Sequence, residues 1–349
     1  MKIAFVTDLH FGVKQNSEIF LKNQLDYFYS EFIPEIKSRG IKSVIVGGDV
    51  FDSQSFLNIK VMNSVYDLFI TLGQAVGRVD VIVGNHDSYY KNHIEVVSLK
   101  LLTGIENVHI HNKPHIGAGY ALLFPWESDT AKIKELISSH RHPPICFGHF
   151  DVLGADMYRG MKSENGLDMG FFLDQFKLTM SGHYHTRSII QGPNGSKIVY
   201  TGSPYQITRN DKCEERGFDI IDTETYDVEF VPSKHTMKFV SVQYPNIPDP
   251  EIVKGNTVDI FVDYSTKNFN EVEFNNYVTT INEMGPAFKA EIKVSGSIKM
   301  DLSEEIGNLN LSTKELINRY VQKLSDLTDS DKPKIESLLL ELYKECKGE

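Results

Sequence analysis

The first half of the chain alternates short apolar runs with stretches in which apolar residues recur every three or four positions. The runs at residues 3–6, 44–46 and 79–83 have the length of buried strands. Between them, the helical spacing at residues 17–37 and 61–72 predicts two amphipathic helices. This β-α-β-α-β order indicates a mostly parallel sheet that is covered by helices.

Further along the chain, short strands and turns predominate. A third helix is predicted over residues 94–102, and Gly73 is predicted to end the second helix. Strands are predicted at residues 145–147 and 178–180, followed by two hairpins, the first around a turn at residues 192–195. The sequence therefore predicts an α/β fold in which two sheets form a sandwich flanked by helices.

The last third of the chain begins with a stretch rich in proline. Pro245, Pro248 and Pro250 indicate a linker. After it, a strand, a helix and a second strand predict a small α/β unit, and from Ser312 onward the spacing is purely helical. We therefore expect three parts. Their expected bounds are residues 1–235, 236–300 and 301–349.

Composition and charge exclude several classes of protein. The chain of 349 residues has 36 Lys and Arg against 47 Asp and Glu, which gives a formal charge of −11. This charge argues against a protein that binds nucleic acid mainly through a basic surface. It is compatible with a protein that binds phosphate through metal ions. The three cysteines include no C-x-x-C pair, so neither a disulfide framework nor a thiolate zinc site is expected.

The sequence carries no signal of membrane attachment. The apolar run near the first residue is too short for a signal peptide, and no run approaches the roughly 20 residues of a membrane span. Scattered cysteines are typical of a reducing compartment. We therefore expect a cytoplasmic protein.

Polar residues suited to catalysis are concentrated directly after five predicted strands. Because ligands bind at the carboxyl ends of strands in an open α/β sheet, clusters at five such ends predict a single crevice. Taken singly, each motif has a structural explanation, such as a turn for Gly-Gly-Asp or a helix cap for Asn-His-Asp. A site is indicated because all five occur together and in order. The clusters are residues 8–10, 47–52, 84–87, 148–149 and 182–185.

Seven side chains in these clusters are potential metal ligands, and they combine carboxylate, amide and imidazole groups. Such a set suits borderline divalent ions such as Mn²⁺, Fe²⁺ or Zn²⁺ rather than an all-oxygen Ca²⁺ site. Seven ligands are too many for one tetrahedral ion, whereas they suit two ions that share a carboxylate and clamp a phosphoryl group. The seven are Asp8, His10, Asp49, Asn85, His149, His183 and His185.

The order D-x-H, G-D-x-x-D, G-N-H-D, G-H and G-H-x-H resembles the calcineurin-like metallophosphoesterase superfamily. Within it, residues 48–52, 84–88 and 200–204 are similar to the SbcD-type recombination nucleases. The resemblance implies a two-sheet metallophosphoesterase sandwich flanked by helices, with a small α/β capping domain and a C-terminal helical segment. Three further segments are similar to the recombination nuclease subunits of T-even-type bacteriophages. These are residues 124–127, 160–163 and 328–331.

Carried over by position, the resemblance implies a role for each polar residue. Asp49 would bridge two divalent ions, with Mn²⁺ expected and Mg²⁺, Fe²⁺ or Zn²⁺ as the alternatives. His86 is the expected catalytic histidine, which would donate a proton or a hydrogen bond to the leaving oxygen, and Asp52 would orient it. One ion would be held by Asp8, His10, Asp49 and His185, and the other by Asp49, Asn85, His149 and His183.

The resemblance also implies a reaction. It implies a Mn²⁺-dependent DNA nuclease that hydrolyses phosphodiester bonds by a two-metal mechanism, as a 3′-to-5′ exonuclease on duplexes and an endonuclease on single strands. Its setting would be DNA recombination, repair and recombination-dependent replication. Phosphoprotein phosphatases carry Arg after G-D-x-x-D and Glu after G-N-H, whereas this chain has Ser53 and Asp87, which favours a nuclease. A small-molecule, cyclic-nucleotide-type phosphodiesterase is the alternative, and a non-catalytic scaffold is a further one.

The partners implied are DNA, an SbcC-type ABC ATPase subunit with a coiled coil, and a second copy of the chain, giving a homodimer within a heterotetramer. The resemblance assigns the dimer to the predicted helices at residues 61–72 and 94–102. It assigns a capping function to residues 236–300 and ATPase binding to residues 301–349. Several basic residues near the motifs either contact DNA phosphates or are solvated surface charges. They are Lys14, Lys91, Arg159, Lys162, Arg187 and Arg209.

Overall fold

The computed structural model describes most of the chain. Contacts divide the chain into two units, Met1–Ser295 and Gly296–Glu349. In the second unit, residues 321–322 and 332–337 are helical, while most of the helical segment predicted after residue 312 lies outside the described residues. The described residues are 1–53, 56–90, 96–117, 120–139, 143–158, 160–263, 269–294, 321–322, 332–337 and 339.

Strands and helices alternate through the first unit. The strands are β1 (Lys2–Val6), β2 (Val44–Val46), β3 (Val79–Ile82), β4 (Val108–His111), β5 (His115–Gly117), β6 (Ala121–Phe124), β7 (Ile145–His149), β8 (Asp156–Tyr158), β9 (Met161–Lys162), β10 (Leu178–Gly182), β11 (Ser188–Gln191), β12 (Lys197–Tyr200), β13 (Gly217–Asp222), β14 (Val228–Pro232), β15 (Phe239–Gln243), β16 (Thr257–Val262) and β17 (Glu291–Val294). The α-helices are α1 (Glu18–Tyr27), α2 (Ile33–Ser38), α3 (Ile59–Val76), α4 (Thr130–Ser138), α5 (Met169–Gln175), α6 (Pro250–Val253) and α7 (Glu271–Glu283). Among the described residues, no helix is long and apolar enough to cross a membrane.

Two six-stranded sheets form the sandwich that the sequence predicts. The first has the order β14-β13-β1-β2-β3-β4, in which β1 to β4 run parallel and β13 and β14 add an antiparallel hairpin. The second has the order β11-β12-β10-β7-β6-β5, with a parallel centre and an antiparallel strand at each edge. The carboxyl ends of the central strands of each sheet therefore meet at one edge of the sandwich.

The core explains why the predicted strands are continuously apolar. Along β1, Ile3 and Phe5 pack between the two sheets, while Ala4 and Val6 belong to the cluster beneath the helices. All four are fully buried, as expected for a parallel strand covered on both faces. Phe5 meets Phe147 of the second sheet with ring centroids 5.4 Å apart. The two sheets are thus joined directly below the crevice.

The helix predicted over residues 17–37 is confirmed, with one irregularity. It consists of α1 and α2 joined through a π-helical turn, Phe28–Phe32. Pro34 follows this turn and has no amide hydrogen, and its ring crowds the carbonyl four residues earlier, so a regular helix cannot pass through it. The wider turn accommodates the interrupted hydrogen-bond ladder.

Two helix predictions need correction. Gly73 lies inside α3, which continues to Val76 and ends at Gly77 with a φ of 84°. A Cβ at Gly73 would be 2.7 Å from the carbonyl oxygen of Glu106, so this glycine permits close packing instead of ending the helix. Within the helix predicted at residues 94–102, the structure forms only the 3₁₀ turn Ser98–Leu102, and residues 94–95 lie outside the described residues.

The prediction of a linker at Pro245, Pro248 and Pro250 is also wrong. A strand that the sequence pattern missed, β15, precedes Pro245 and pairs in parallel with β16, which pairs with β17. The prolines therefore lie in a connection inside a three-stranded sheet. Helix α7, capped by the Asn270 side chain, packs on this sheet through Phe274 and Ile281. The predicted strand-helix-strand unit is present, whereas the bounds proposed for the three parts stay a prediction.

Replacing Phe32 with alanine should destabilise the protein by about 3–5 kcal/mol, the usual result of removing a buried aromatic ring. Phe32 is 0% exposed, and its ring lies 4.7 Å from that of Phe218. Urea unfolding measures the change. The matched control is Phe56→Ala, because Phe56 is 66% exposed and should change stability by no more than about 0.5 kcal/mol. Equal effects of the two substitutions would contradict this description of the core.

Candidate metal centre

All seven predicted metal donors lie in one crevice at the carboxyl ends of β1, β2, β3, β7 and β10. We call Asp8, His10, Asp49 and His185 the first donor group. Its imidazoles face each other, with the Nε2 atoms of His10 and His185 3.0 Å apart and the Nε2 of His10 3.8 Å from Oδ2 of Asp49. Ligand atoms of Asp8, His10 and His185 all lie within 4.8 Å of one another. Two ring nitrogens this close need a proton or a cation between them.

The second donor group is Asp49, Asn85, His149 and His183. Oδ1 of Asn85 lies 2.8 Å from Nε2 of His149 and 2.9 Å from Nδ1 of His183. Nε2 of His149 is 3.4 Å from Oδ2 of Asp49. Asp49 thus contacts rings of both groups, as the expected bridging carboxylate would.

The loops that carry these donors adopt a rare backbone conformation. Positive φ angles occur at Asp8 (56°), His10 (46°), Asp49 (52°) and His183 (94°). For a residue with a Cβ, this left-handed region costs roughly 1–2 kcal/mol. Four such residues at one crevice are typical of a functional site, where the surrounding fold holds the strain.

Hydrogen bonds fix the orientation of the donor rings. Nδ1 of His149 lies 2.9 Å from the carbonyl oxygen of Gly47, so with the proton on Nδ1 the Nε2 lone pair faces the second donor group. Nε2 of His183 lies 2.8 Å from Oδ1 of Asp151, which directs Nδ1 of His183 inward. Metal-binding histidines commonly have such a partner on their other nitrogen.

The electrostatics of the crevice favour cations. Burial raises the pKa of the Asp8 carboxyl, and the neighbouring Asp49 adds to the rise against the opposing pull of His149. Burial also acts to raise the pKa of Asp49, but His149 and the other rings outweigh it and the pKa is lowered. The pKa of His149 rises to about 9 despite its burial, because of Asp49. Two adjacent buried carboxylates thus compete for the same imidazoles, and divalent ions would satisfy both.

Asp52 contacts His86 through its backbone carbonyl and not through the carboxylate, which the resemblance implied would orient the ring. Nδ1 of His86 lies 2.7 Å from the backbone carbonyl oxygen of Asp52, while the Asp52 carboxylate lies 3.3 Å from Nδ1 of His10. The reason is the path of the loop, in which the amide of Asp52 donates to the carbonyl of Phe11 and turns the side chain towards His10. The amide of His86 donates to Oδ1 of Asp49 at 2.8 Å.

Asp87 supports the site, although sequence reasoning gave it no structural role. Its carboxylate accepts hydrogen bonds from the amides of Phe51 and Gly84, each at 3.1 Å. It thereby joins the loops after β2 and β3. Burial raises its pKa to about 7, and the nearby Asp49 contributes. In the sequence, the sign of this supporting role is the acidic residue that ends the Gly-Asn-His-Asp motif.

Neither Asp151 nor Trp126 was predicted from the sequence to lie at the site. Trp126 packs its ring 5.0 Å from that of His183, and its amide donates to the carbonyl of Val83. Asp151 follows the predicted ligand His149 by two residues, and its Oδ1 lies 2.8 Å from Nε2 of His183. Neither position belongs to a metal-ligand motif, so only the folded chain shows that both lie beside the second donor group.

Two of the lysines among the candidate DNA contacts, Lys14 and Lys162, are exposed. Lys14 is exposed in the left-handed turn that follows His10, with a φ of 53°. Lys162 is exposed on β9 and lies 3.0 Å from Asp156. Such a surface ion pair is weak and leaves a lysine free to exchange partners. Lys91 and Arg159 lie outside the described residues.

The two candidate arginines are held by carboxylates. Arg187 lies 2.7 Å from the buried Asp219 and stacks on the ring of Phe230 at 4.2 Å. Nε of Arg209 lies 3.0 Å from Asp259, which joins the crevice side of the sandwich to the three-stranded sheet. Both charges are therefore compensated within the chain.

Comparison with known proteins identifies the family. Residues 1–187 match the family described as calcineurin-like phosphoesterase. "Exonuclease subunit 1" of Enterobacteria phage T4 is 32% identical over 363 residues, which cover 99% of each chain. The chain therefore belongs to the calcineurin-like phosphoesterase family. The resemblance found in the motifs is confirmed, and with it the enzyme class, a metal-dependent phosphoesterase.

Two solved structures also align with the chain. A Thermus thermophilus protein aligns with a TM-score of 0.41 and 12% identity, over 66% of this chain and 98% of its own. A dimetal phosphatase from Danio rerio aligns with a TM-score of 0.41 and 9% identity, over 63% of this chain and 91% of its own.

Substituting Gly84 with alanine should displace Asp49 and weaken metal binding. The added Cβ would lie 2.2 Å from Oδ1 of Asp49 and 2.3 Å from its amide nitrogen, closer than any real contact. We expect Mn²⁺ affinity to fall by at least about tenfold in a calorimetric titration. Gly104→Ala is the control, because its φ of 92° imposes strain in open space away from the donors. Unchanged affinity in the Gly84 variant would contradict the observed packing.

Proposed function

We propose that the chain is a Mn²⁺-dependent DNA nuclease that acts as a 3′-to-5′ exonuclease on duplexes and an endonuclease on single strands. The observation that carries the proposal is the similarity to the phage T4 exonuclease subunit over 99% of both chains. That similarity extends well past the family match at residues 1–187, into the three-stranded sheet and the second unit. A small-molecule phosphodiesterase would need neither a DNA channel nor a partner-binding segment.

The donor set supports a two-ion centre. The first donor group and the second donor group would each hold one ion, with Asp49 common to both. Imidazole and carboxylate donors together suit Mn²⁺. Bound divalent ions supply positive charge that activates water and neutralises the phosphate during in-line displacement.

His86 would supply the acid. Its amide is fixed by Asp49, and its Nδ1 by the carbonyl oxygen of Asp52, so the ring presents Nε2 to the crevice. With Nδ1 donating to that carbonyl, a second proton on Nε2 can pass to the leaving oxygen. In its protonated form the ring also donates a hydrogen bond to the charge that develops on phosphate.

The acidic character of the chain fits this manner of binding DNA. Because the formal charge is −11, affinity for phosphate would depend on the ions and on a few local lysines such as Lys14 and Lys162. Tyr89 and Tyr90 are 50% and 45% exposed beside His86, where they can stack on a base. Binding by the isolated chain should be weak and sensitive to salt.

The proposal includes an assembly. The phage T4 relative is named a subunit, and the partner we propose is an SbcC-type ABC ATPase with a coiled coil, docked on residues 301–349. A homodimer would use the exposed side chains of α3 and its neighbours, since Ile59, Tyr66 and Leu101 are 71%, 41% and 41% exposed. Phe69 is 1% exposed and serves the core instead. Such a complex would act in DNA recombination, repair and recombination-dependent replication in a bacterial cytoplasm.

The test is cleavage by the wild-type chain and by His86→Ala, with Mn²⁺, on linear duplex DNA, single-stranded circles and a cyclic nucleotide. Wild type should cleave both DNAs. The variant should lose about 10²- to 10⁴-fold in rate, because it lacks the proton donor. Its Mn²⁺ affinity should stay near that of wild type, since His86 is outside both donor groups.

His109→Ala is the matched control, because His109 is an exposed histidine on β4. It should cleave DNA at the wild-type rate. Cyclic-nucleotide hydrolysis without DNA cleavage would indicate a small-molecule phosphodiesterase and contradict the proposal. Full DNA cleavage by the His86 variant would contradict the role of His86.

A further inference from the structure

The ring of His183 is held on three sides by groups that do not belong to either donor group. Oδ1 of Asp151 lies 2.8 Å from Nε2 of His183. The rings of Trp126 and Tyr184 pack against the imidazole, with centroids 5.0 and 4.9 Å away. His183 itself has a φ of 94°, so its backbone does not provide a relaxed position for the ring.

Asp151 is itself fixed in place. The hydroxyl of Tyr184, which is 3% exposed, donates to Oδ1 of Asp151 at 2.8 Å. The carbonyl oxygen of Asp151 accepts from the amide of Leu167 at 3.0 Å, where the chain returns from the β8–β9 hairpin. A Cβ at Gly166 would lie 2.3 Å from that oxygen, so the segment that returns from the hairpin packs tightly on the Asp151 backbone. The carboxylate therefore cannot swing away with a mobile surface loop.

We propose that Asp151 is a positioning residue for the second donor group, which keeps the proton of His183 on Nε2 and the Nδ1 lone pair directed at the ion. A neutral imidazole has one donor and one acceptor nitrogen, and a carboxylate accepts only the donor side. On the opposite side of the ring, Nδ1 of His183 lies 2.9 Å from Oδ1 of Asn85, and because both atoms are then acceptors, a cation between them would satisfy both lone pairs. This inference rests on the two-ion centre of the proposed function.

Removing Asp151 should affect the two donor groups unequally. Asp151 contacts a histidine of the second donor group, whereas the Asp52 carboxylate lies beside His10 of the first. Loss of Asp151 should therefore lower the affinity for one ion and leave the affinity for the other unchanged. A purely structural role, through Tyr184 and the hairpin, would lower thermal stability without this asymmetry.

The test titrates metal-stripped full-length chain with Mn²⁺ in the absence of DNA. Wild type should bind two ions. Asp151→Ala should bind one with unchanged affinity and the other about 10- to 100-fold more weakly, the usual effect of removing a ligand's partner. Asp151→Asn should recover part of the loss, because its amide oxygen still accepts from Nε2. The ¹⁵N shifts of His183 should change from a single Nε2–H tautomer to a mixture in the alanine variant.

Asp156→Ala is the matched control, since Asp156 is a nearby aspartate, at the start of the β8–β9 hairpin, that pairs with exposed Lys162 and not with a donor ring. It should bind both ions as wild type does. If Asp151→Ala bound both ions with unchanged affinity, or lost affinity equally for both, the inference would be overturned while the two-ion centre stayed in place. A wild-type chain that bound fewer than two ions would overturn the proposed centre and this inference together.

Discussion

The structure depends on two buried carboxylates that lie next to each other, Asp8 at the end of β1 and Asp49 at the end of β2. Both are almost completely buried, and the charged partners that the structure gives Asp49 are imidazoles. An isolated pair of like charges in a protein interior would cost several kcal/mol, because desolvation and repulsion add. Divalent cations bound between the two carboxylates would offset this cost, so a buried pair of this kind is typical of a metal centre.

Close approach of the two sheets makes this arrangement possible, and glycine makes the close approach possible. A Cβ at Gly48 would lie 2.6 Å from Nδ1 of His149, and one at Gly182 would lie 2.1 Å from Oγ1 of Thr7. These contacts cross between the first sheet and the second. The glycines of the motifs therefore serve the geometry of the centre as directly as the ligands do, because they bring the two sets of strand ends within reach of shared ions.

The strands and the gathering of the seven polar side chains in one crevice could be predicted because a continuous apolar run followed by a polar cluster is a local signal. Other features depend on contacts between distant segments. Gly73 resembles a helix end in sequence, and only its packing against Glu106 shows that it lies inside α3. The partner of His86 is a backbone carbonyl of Asp52, and a carbonyl leaves no trace in the sequence. Asp151 reaches His183 across the second sheet, 32 positions away in sequence.

The strand ends of the two sheets should form one centre for two ions that share Asp49. Diffraction from Mn²⁺-soaked crystals, collected at the manganese absorption edge, tests it most directly. We expect two anomalous peaks, one within the first donor group and one within the second, with Asp49 contacting both. A single peak, or peaks that Asp49 does not join, would contradict it.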